Sequence, residues 1–514
     1  MTESAWIHDV SLSPPSLEDN SADADRLMGV LKRQAGLPEL APDLSLLRRL
    51  PERLRRWGWN ARCVVFPERG RWALLEVYDP SRTDPIPGLA VDIGTTRVVL
   101  RLVALDSGKT LAEAAFDNPQ IEIGPDVLAR IHHADRPGGL QDLHGRIIAA
   151  LNREVEAICT RAGTEPEEIV LVSAAGNTTM THLFLGLPPR WIIREPYIPA
   201  ANRLPVIRAG EIGLNVHPRC RLLTFPNIGS YFGGDLIAGI LHSGIHRRAE
   251  TTILVDVGTN AEVVLGNENW LIACAGAAGP ALEGGVTRMG MNAAPGVIDR
   301  VQVDPKTGTV ELHTIEDLPP IGICGSGLID LAAQLFLAGM VDMRGKFVAS
   351  RCGSRLVDRD GIDTFLVADE RTSATGKPLT LSQIDLDSLT RSKAAMYTIL
   401  ETLTLTVGVS FDELAAFHVA GTFGSFIRAE SAIAIGMLPD IGLQRYVALG
   451  NSSLEGAARA LTDASAVEEL DRIRDRITYL ELNVNQDFMN RFSAAKFYPH
   501  TDPKRFPSVP PPPA

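Results

Sequence analysis

One short pattern occurs twice in the chain and constrains the fold more than any other feature. Leu89-Ala90-Val91-Asp92-Ile93-Gly94-Thr95-Thr96-Arg97-Val98 returns as Leu254-Val255-Asp256-Val257-Gly258-Thr259-Asn260-Ala261-Glu262-Val263. Each copy reads as a buried strand, a tight turn and a second strand. A lone Asp-x-Gly-Thr is equally well explained as an ordinary hairpin turn. Two copies, each flanked by apolar β-branched runs, suggest duplicated halves that clamp one nucleotide. Glycine admits a phosphate close to the backbone. Turn N–H groups and threonine hydroxyls can donate to phosphate oxygens. The Asp offers an oxygen ligand to Mg²⁺, directly or through water.

A length of 514 residues implies two or three domains. The expected divisions are a small α/β module at 1–87, a first lobe at 88–250, a second at 251–490 and a Pro-rich tail at 491–514. The net charge of −12 argues against a general nucleic-acid binder. Neither a signal peptide nor an apolar stretch long enough to cross a membrane is visible. Six scattered cysteines without a Cys-x-x-Cys pair fit a reduced, cytoplasmic protein.

The N-terminal region predicts a helix near 24–33 and an amphipathic stretch over 44–59, interrupted near Pro51. Arg48, Arg49, Arg53, Arg55 and Arg56 make this stretch a solvated helix face or, less simply, a basic patch for an acidic partner. Strands at 61–67 and 71–78 follow, then a Pro-rich linker over 79–88.

In the first lobe, strands are expected at 89–93, 98–104 and 110–116, a helix to His132, a long helix at 139–162 and a strand at 169–174. Adjacent His132 and His133 point in different directions on a helix and read as surface residues. Gly176-Asn177-Thr178-Thr179 then opens a helix. The loop is either an anion site at a helix N-terminus or simply a helix start capped by Asn or Thr.

In the second lobe, small residues crowd 273–285, with Glu283 among them. Glu283 is a candidate to orient or deprotonate an attacking water, and equally a helix-dipole partner. Gly325-Ser326-Gly327 reads as a further phosphate-type loop before a helix at 328–338. Residues 341–384 look β-rich, and a long apolar helix follows over 385–407. A strand at 415–420 runs into Gly421-Thr422-Phe423-Gly424. That turn suits the flat face of an adenine, or is a strand-to-helix turn with core Phe residues. The tail from Tyr498 is expected to be an extended or disordered extension.

This ordered set of motifs resembles the acetate and sugar kinase, chaperone ATPase and actin superfamily. Within it, the chain is similar to the reductive activators of corrinoid-dependent enzymes. The stretches that carry the resemblance are 88–98, 118–131, 175–186, 225–241, 254–301, 322–341, 391–395, 420–440 and 450–457. The resemblance implies an α/β fold of duplicated actin-like (ribonuclease H-like) lobes. It also implies an ATPase that drives an electron onto a Co(II) corrinoid and returns it to Co(I). By motif, Asp92 and Asp256 would serve Mg²⁺, and Gly94, Thr95, Thr96, Gly258, Thr259 and Asn260 would hold the phosphates of ATP. Gly421, Phe423 and Gly424 would line the adenosine site. The implied partner is a corrinoid protein or corrinoid-dependent methyltransferase, and the implied assembly is a homodimer.

The sequence departs from that family in one respect. Typical members carry a Cys-rich [2Fe–2S] domain, whereas the only cysteine before residue 100 here is Cys63. Four thiolates at plant-type spacing are missing. No iron–sulfur cluster is therefore expected, and a separate ferredoxin, flavodoxin or reductase is expected to supply the electron. Three other readings stay open. An activator of a 2-hydroxyacyl-CoA dehydratase would use Cys274 and Cys324 for a shared cluster. A small-molecule kinase would pass on the γ-phosphate. A non-enzymatic scaffold would bind ATP without turnover.

Overall fold

The computed structural model describes residues 5–511 apart from 38, 69, 231, 259–260, 277–286, 422–426 and 481–485. The chain forms two compact units. The first comprises Met1–His242 with Ser452–Asp475, and the second comprises Ser243–Asn451 with Arg476–Ala514. The sequence reading assigned 452–475 to the second lobe. The helix Ser452–Thr462 packs in the first unit, where a Cβ on Gly456 would stand 2.3 Å from the Ala238 carbonyl. Only glycine permits so close a helix approach.

In the first unit, β1 (Ile7–Ser11), β2 (Leu40–Pro42), β3 (Asn60–Glu68) and β4 (Arg71–Tyr78) form a sheet in the order β1-β3-β4-β2. Leu27 and Leu31 of the helix Asp23–Ala35 and Leu50 and Leu54 of the helix Leu50–Arg56 cluster with Val65 and Leu74 of the sheet. Strands β1 and β2 went unpredicted because such short segments show too little alternation to reveal a period of two. Two of the five arginines of the arginine-rich stretch are engaged within their own module. Arg53 donates to Glu76 at 2.6 Å and Arg55 to Asp23 at 2.6 Å.

Glu76 of β4 ties this module to the rest of the unit. Its buried carboxylate accepts from Arg53, from the Val77 N–H at 2.8 Å, from His217 at 3.1 Å and from Arg219. Arg219 also donates to the Leu75 carbonyl at 2.7 Å and to Ser45 at 2.9 Å. Burial alone would raise the Glu76 pKa. The His217 and Val77 hydrogen bonds and the charges of Arg219 and Arg53 outweigh it and hold the carboxyl at about 2.

The main sheet of this unit contains β5 (Pro87–Ile93), β6 (Arg97–Ala104), β7 (Thr110–Asp117), β8 (Leu171–Gly176), β9 (Ile207–Arg208) and β10 (Arg221–Thr224), in the order β7-β6-β5-β8-β10-β9. Strands β5 to β7 form an antiparallel meander, while β8 runs parallel to β5 and β10 parallel to β8. The helix Gly139–Ala162 buries Leu143, Ile147, Leu151, Val155 and Ile158 in the same core. Their spacing is a single apolar stripe, which is why the sequence showed this helix clearly.

The second unit contains β11 (Thr252–Val257), β12 (Ala261–Gly266), β13 (Leu271–Gly276), β14 (Val297–Val303), β15 (Val310–Thr314), β16 (Gly322–Ile323), β17 (Leu356–Arg359), β18 (Ile362–Ala368), β19 (Leu379–Ser382), β20 (Ala416–Ala420), β21 (Tyr446–Gly450) and β22 (Ile477–Tyr479). Its main sheet has the order β21-β20-β11-β12-β13-β22. The first three strands are again an antiparallel meander, and the next two again run parallel to the first. The same folding pattern therefore occurs once per unit. It is the actin-like arrangement, with smaller sheets β15-β14-β16 and β17-β18-β19 added. The long helix Gln383–Thr406 starts at a capping box between Ser382 and Asp385.

The tail is not extended as expected. Tyr498 and Phe506 are buried in the second unit's core. The Tyr498 hydroxyl lies 3.0 Å from Thr390 Oγ1, and fully buried Lys393 donates to the carbonyls of Phe497 and Pro499. Prolines around isolated aromatic residues concealed this packing in the sequence. Among the described residues, no helix is long and apolar enough to cross a membrane.

The Glu76 cluster makes stability depend on pH. A carboxyl held at about 2 against an ordinary 4.5 stabilises the fold above pH 4.5, and that contribution is lost as pH falls towards 2. Glu76→Gln should remove about 3 kcal/mol at pH 7 and flatten the loss of stability over that acid range. Urea unfolding from pH 7 downwards measures both, and an unchanged acid limb would contradict the assignment.

Candidate functional site

The first repeat lies at the end of β5. Asp92 is half-buried and accepts a 2.8 Å hydrogen bond from the hydroxyl of Ser453, at the start of the helix Ser452–Thr462. Gly94 opens the turn to β6, and a Cβ there would sit 2.2 Å from the Arg97 carbonyl. The turn's carbonyls are held one after another. Asn118 Nδ2 donates to Gly94 O at 2.9 Å, Arg130 Nη2 to Thr95 O at 2.7 Å, and the Asn118 N–H to Thr96 O at 2.8 Å.

Asn177 joins this turn to the helix Thr178–Leu185. Its Nδ2 donates to Thr95 Oγ1 at 2.9 Å, while its Oδ1 caps the helix by accepting from the Met180 N–H at 2.9 Å. The sequence reading left a phosphate loop and a helix cap as alternatives, and the cap is present. Thr178 is buried, and its hydroxyl donates to the carbonyls of Gly229 and Phe232. Of the two predicted residues, Asn177 is the one that touches the turn.

In the second unit, Asp256 lies at the end of β11, half-buried, and exposed Gly258 begins the turn. Gly421 follows β20 at a φ of 86°, where a Cβ would meet the Val257 carbonyl at 2.6 Å and Asp256 Oδ1 at 3.0 Å. The first unit repeats the relation, because a Cβ on Gly176 at the end of β8 would meet the Ile93 carbonyl at 2.9 Å. In each unit a glycine at the end of the fourth strand or just after it presses on the carbonyl of the residue after the Asp. The predicted residues Thr259, Asn260, Glu283, Phe423 and Gly424 lie outside the described residues.

Gly325, Ser326 and Gly327 do not form a loop. They are the buried first turn of the helix Gly325–Leu337. A Cβ on Gly327 would lie 2.3 Å from the Ile298 carbonyl, so this glycine serves helix-to-strand packing. Cys274 is buried within β13, and Cys324 is the N-cap of that helix. His133 bonds Asp142 at 3.1 Å.

Ser453, Asn118 and Arg130, which hold Asp92 and the first turn, are not singled out by the sequence. Their only sequence signal was membership of the stretches 118–131 and 450–457. Arg130 is fully buried, and among the described residues its acceptors are all neutral. Besides Thr95 O, these are Gly124 O at 2.9 Å, Met180 Sδ at 3.2 Å and Gln120 Oε1 at 3.4 Å. Burial pulls its pKa down to about 10, so it stays charged at neutral pH.

The chain matches the RACo linker region over residues 1–84, the RACo middle region over 87–248 and the C-terminal domain of RACo, the ASKHA domain, over 250–510. The corrinoid activation enzyme RamQ of Eubacterium limosum is 29% identical over 459 residues, covering 88% of this chain and 76% of RamQ. The [Co(II) methylated amine-specific corrinoid protein] reductase of Methanosarcina barkeri is 23% identical over 437 residues, covering 78% of this chain and 75% of that protein. A solved reductive activator for corrinoid, iron–sulfur protein superposes with a TM-score of 0.88 at 38% identity, covering 98% of this chain and 80% of that one.

Gly421→Ala tests the close approach in the second unit. The added methyl meets backbone and carboxylate oxygens, and the positive φ adds strain. The expected cost is about 1–3 kcal/mol of stability, with displacement of the Asp256 carboxylate. Chemical unfolding of the purified variant measures the first effect. Wild-type stability would show that the backbone relaxes freely here.

Proposed function

The chain belongs to the RACo family, and on that premise we propose that it is an ATP-dependent reductive activator, returning the Co(II) corrinoid of a partner protein to Co(I). The observation that carries this reading is the arrangement found once in each unit. A strand ends in Asp, a glycine turn follows, and a second glycine packs on the next carbonyl. The corrinoid-directed names of the relatives supply the reaction class.

The residues suit Mg²⁺–ATP as substrate. Asp92 and Asp256 are half-buried carboxylates, the type of oxygen donor that a hard divalent cation takes. Gly94, Thr95 and Thr96, with Gly258, Thr259 and Asn260, are proposed to serve the phosphates, and residues 421–424 the adenosine. Ser453 orients Asp92, and Asn177 fixes the Thr95 hydroxyl. Hydrolysis of bound ATP supplies the free energy and the direction of the cycle. Its leverage on the corrinoid equals the difference in partner affinity between the nucleotide states.

The electron is proposed to come from a ferredoxin, flavodoxin or reductase. The cysteines support this, because none of them stands at cluster spacing. A homodimer is the proposed assembly.

Asp256→Asn should lower the rate of ATP hydrolysis by about two orders of magnitude, the scale of losing one charge-stabilising group, with the fold intact. Wild-type turnover in that variant would move the site elsewhere. The function itself is tested with a Co(II) corrinoid protein from the same organism, Mg²⁺–ATP and a low-potential donor, following the cobalt spectrum. Co(I) should accumulate only with both ATP and this protein present. Reduction indifferent to ATP would exclude the activator.

A further inference from the structure

The Asn118–Arg130 stretch is unused by the reaction as described so far, yet it holds the first glycine turn from behind. A trans peptide points its carbonyl and its N–H in opposite directions. Asn118 Nδ2 on Gly94 O therefore turns the Thr95 N–H to the other side, and Arg130 Nη2 on Thr95 O does the same for the Thr96 N–H. Among the described residues, these two N–H groups have no hydrogen-bond acceptor. A charged donor on a carbonyl also strengthens the dipole of that peptide.

Arg130 brings an unbalanced charge as well. Its guanidinium is buried, and among the described residues none of its four hydrogen-bond acceptors is anionic. The carboxylate whose charge reaches it, Asp126, already caps the helix Val127–Ala134 by accepting from the Ala129 N–H at 2.8 Å. A buried cation without an anionic partner is costly. An anion seated on the far side of the Thr95–Thr96 peptide would relieve that cost.

We propose that Asn118 and Arg130 are positioning residues of the nucleotide site. They clamp consecutive carbonyls of the first turn so that its N–H groups face the phosphate chain, and the phosphates balance the Arg130 charge. This rests on the reading of that turn as a phosphate site.

The experiment compares wild type, Arg130→Met and Arg130→Lys for binding of Mg²⁺–ATP by calorimetry and of uncharged adenosine by ligand-observed NMR. Arg130→Met should weaken ATP binding by about thirtyfold, the range for losing a charged hydrogen bond, and leave adenosine unchanged. Arg130→Lys keeps the charge without the planar fork and should weaken ATP binding only about threefold. If the Met variant does not fold, the Lys variant carries the test alone, because ATP should still weaken against constant adenosine. Equal weakening of both ligands would reduce Arg130 to a structural residue and overturn the proposal. So would unchanged ATP binding in the folded variants. Wild type that fails to bind ATP would instead overturn the phosphate-site reading itself.

Discussion

Everything proposed for the site depends on how closely two backbones approach. In each unit the strand whose penultimate residue is Asp pairs with a parallel strand, Asp92 beside Ala175 and Asp256 beside Ala420. The next residue, Gly176 or Gly421, packs on the carbonyl that follows the Asp. Any side chain there would push the strand ends apart and move the carboxylate with them. The Asp positions are thus set by an absence of side-chain volume, reinforced in the first unit by the Ser453 hydroxyl.

Rigid support surrounds the first turn. Three consecutive carbonyls are hydrogen-bonded by Asn118 and Arg130, and the Thr95 hydroxyl is held by Asn177. A site meant to recognise phosphate with backbone N–H groups needs such support, because an isolated glycine turn has many conformations of similar energy. Arg130 acts from within a helix and Asn118 and Asn177 from helix N-caps, positions more exact than free loops.

Charge is used economically elsewhere in the same unit. One buried carboxylate, Glu76, receives two guanidinium groups and an imidazole and thereby fastens the N-terminal module to the segment leading into β10. Breaking such a cluster leaves buried arginines without a partner. Of the arginine-rich stretch, Arg53 is taken up by this internal pairing and Arg55 by Asp23, while Arg48, Arg49 and Arg56 are exposed.

Local chemistry by itself determined the repeated Asp-x-Gly-Thr turns, the helix Gly139–Ala162 and the long helix Gln383–Thr406. Apolar spacing and glycine placement are short-range signals that survive in one dimension. Tertiary structure alone decided four other matters. It turned Gly325-Ser326-Gly327 into a packed helix start, buried Tyr498 and Phe506, moved 452–475 into the first unit and brought Asn118, Arg130 and Ser453 to the first turn. Each of these rests on a contact between residues far apart in the chain. Arg130 shows the reason best. An arginine on a helix reads as a surface residue until the fold closes over it, and only then does its charge lack water and acquire a direction.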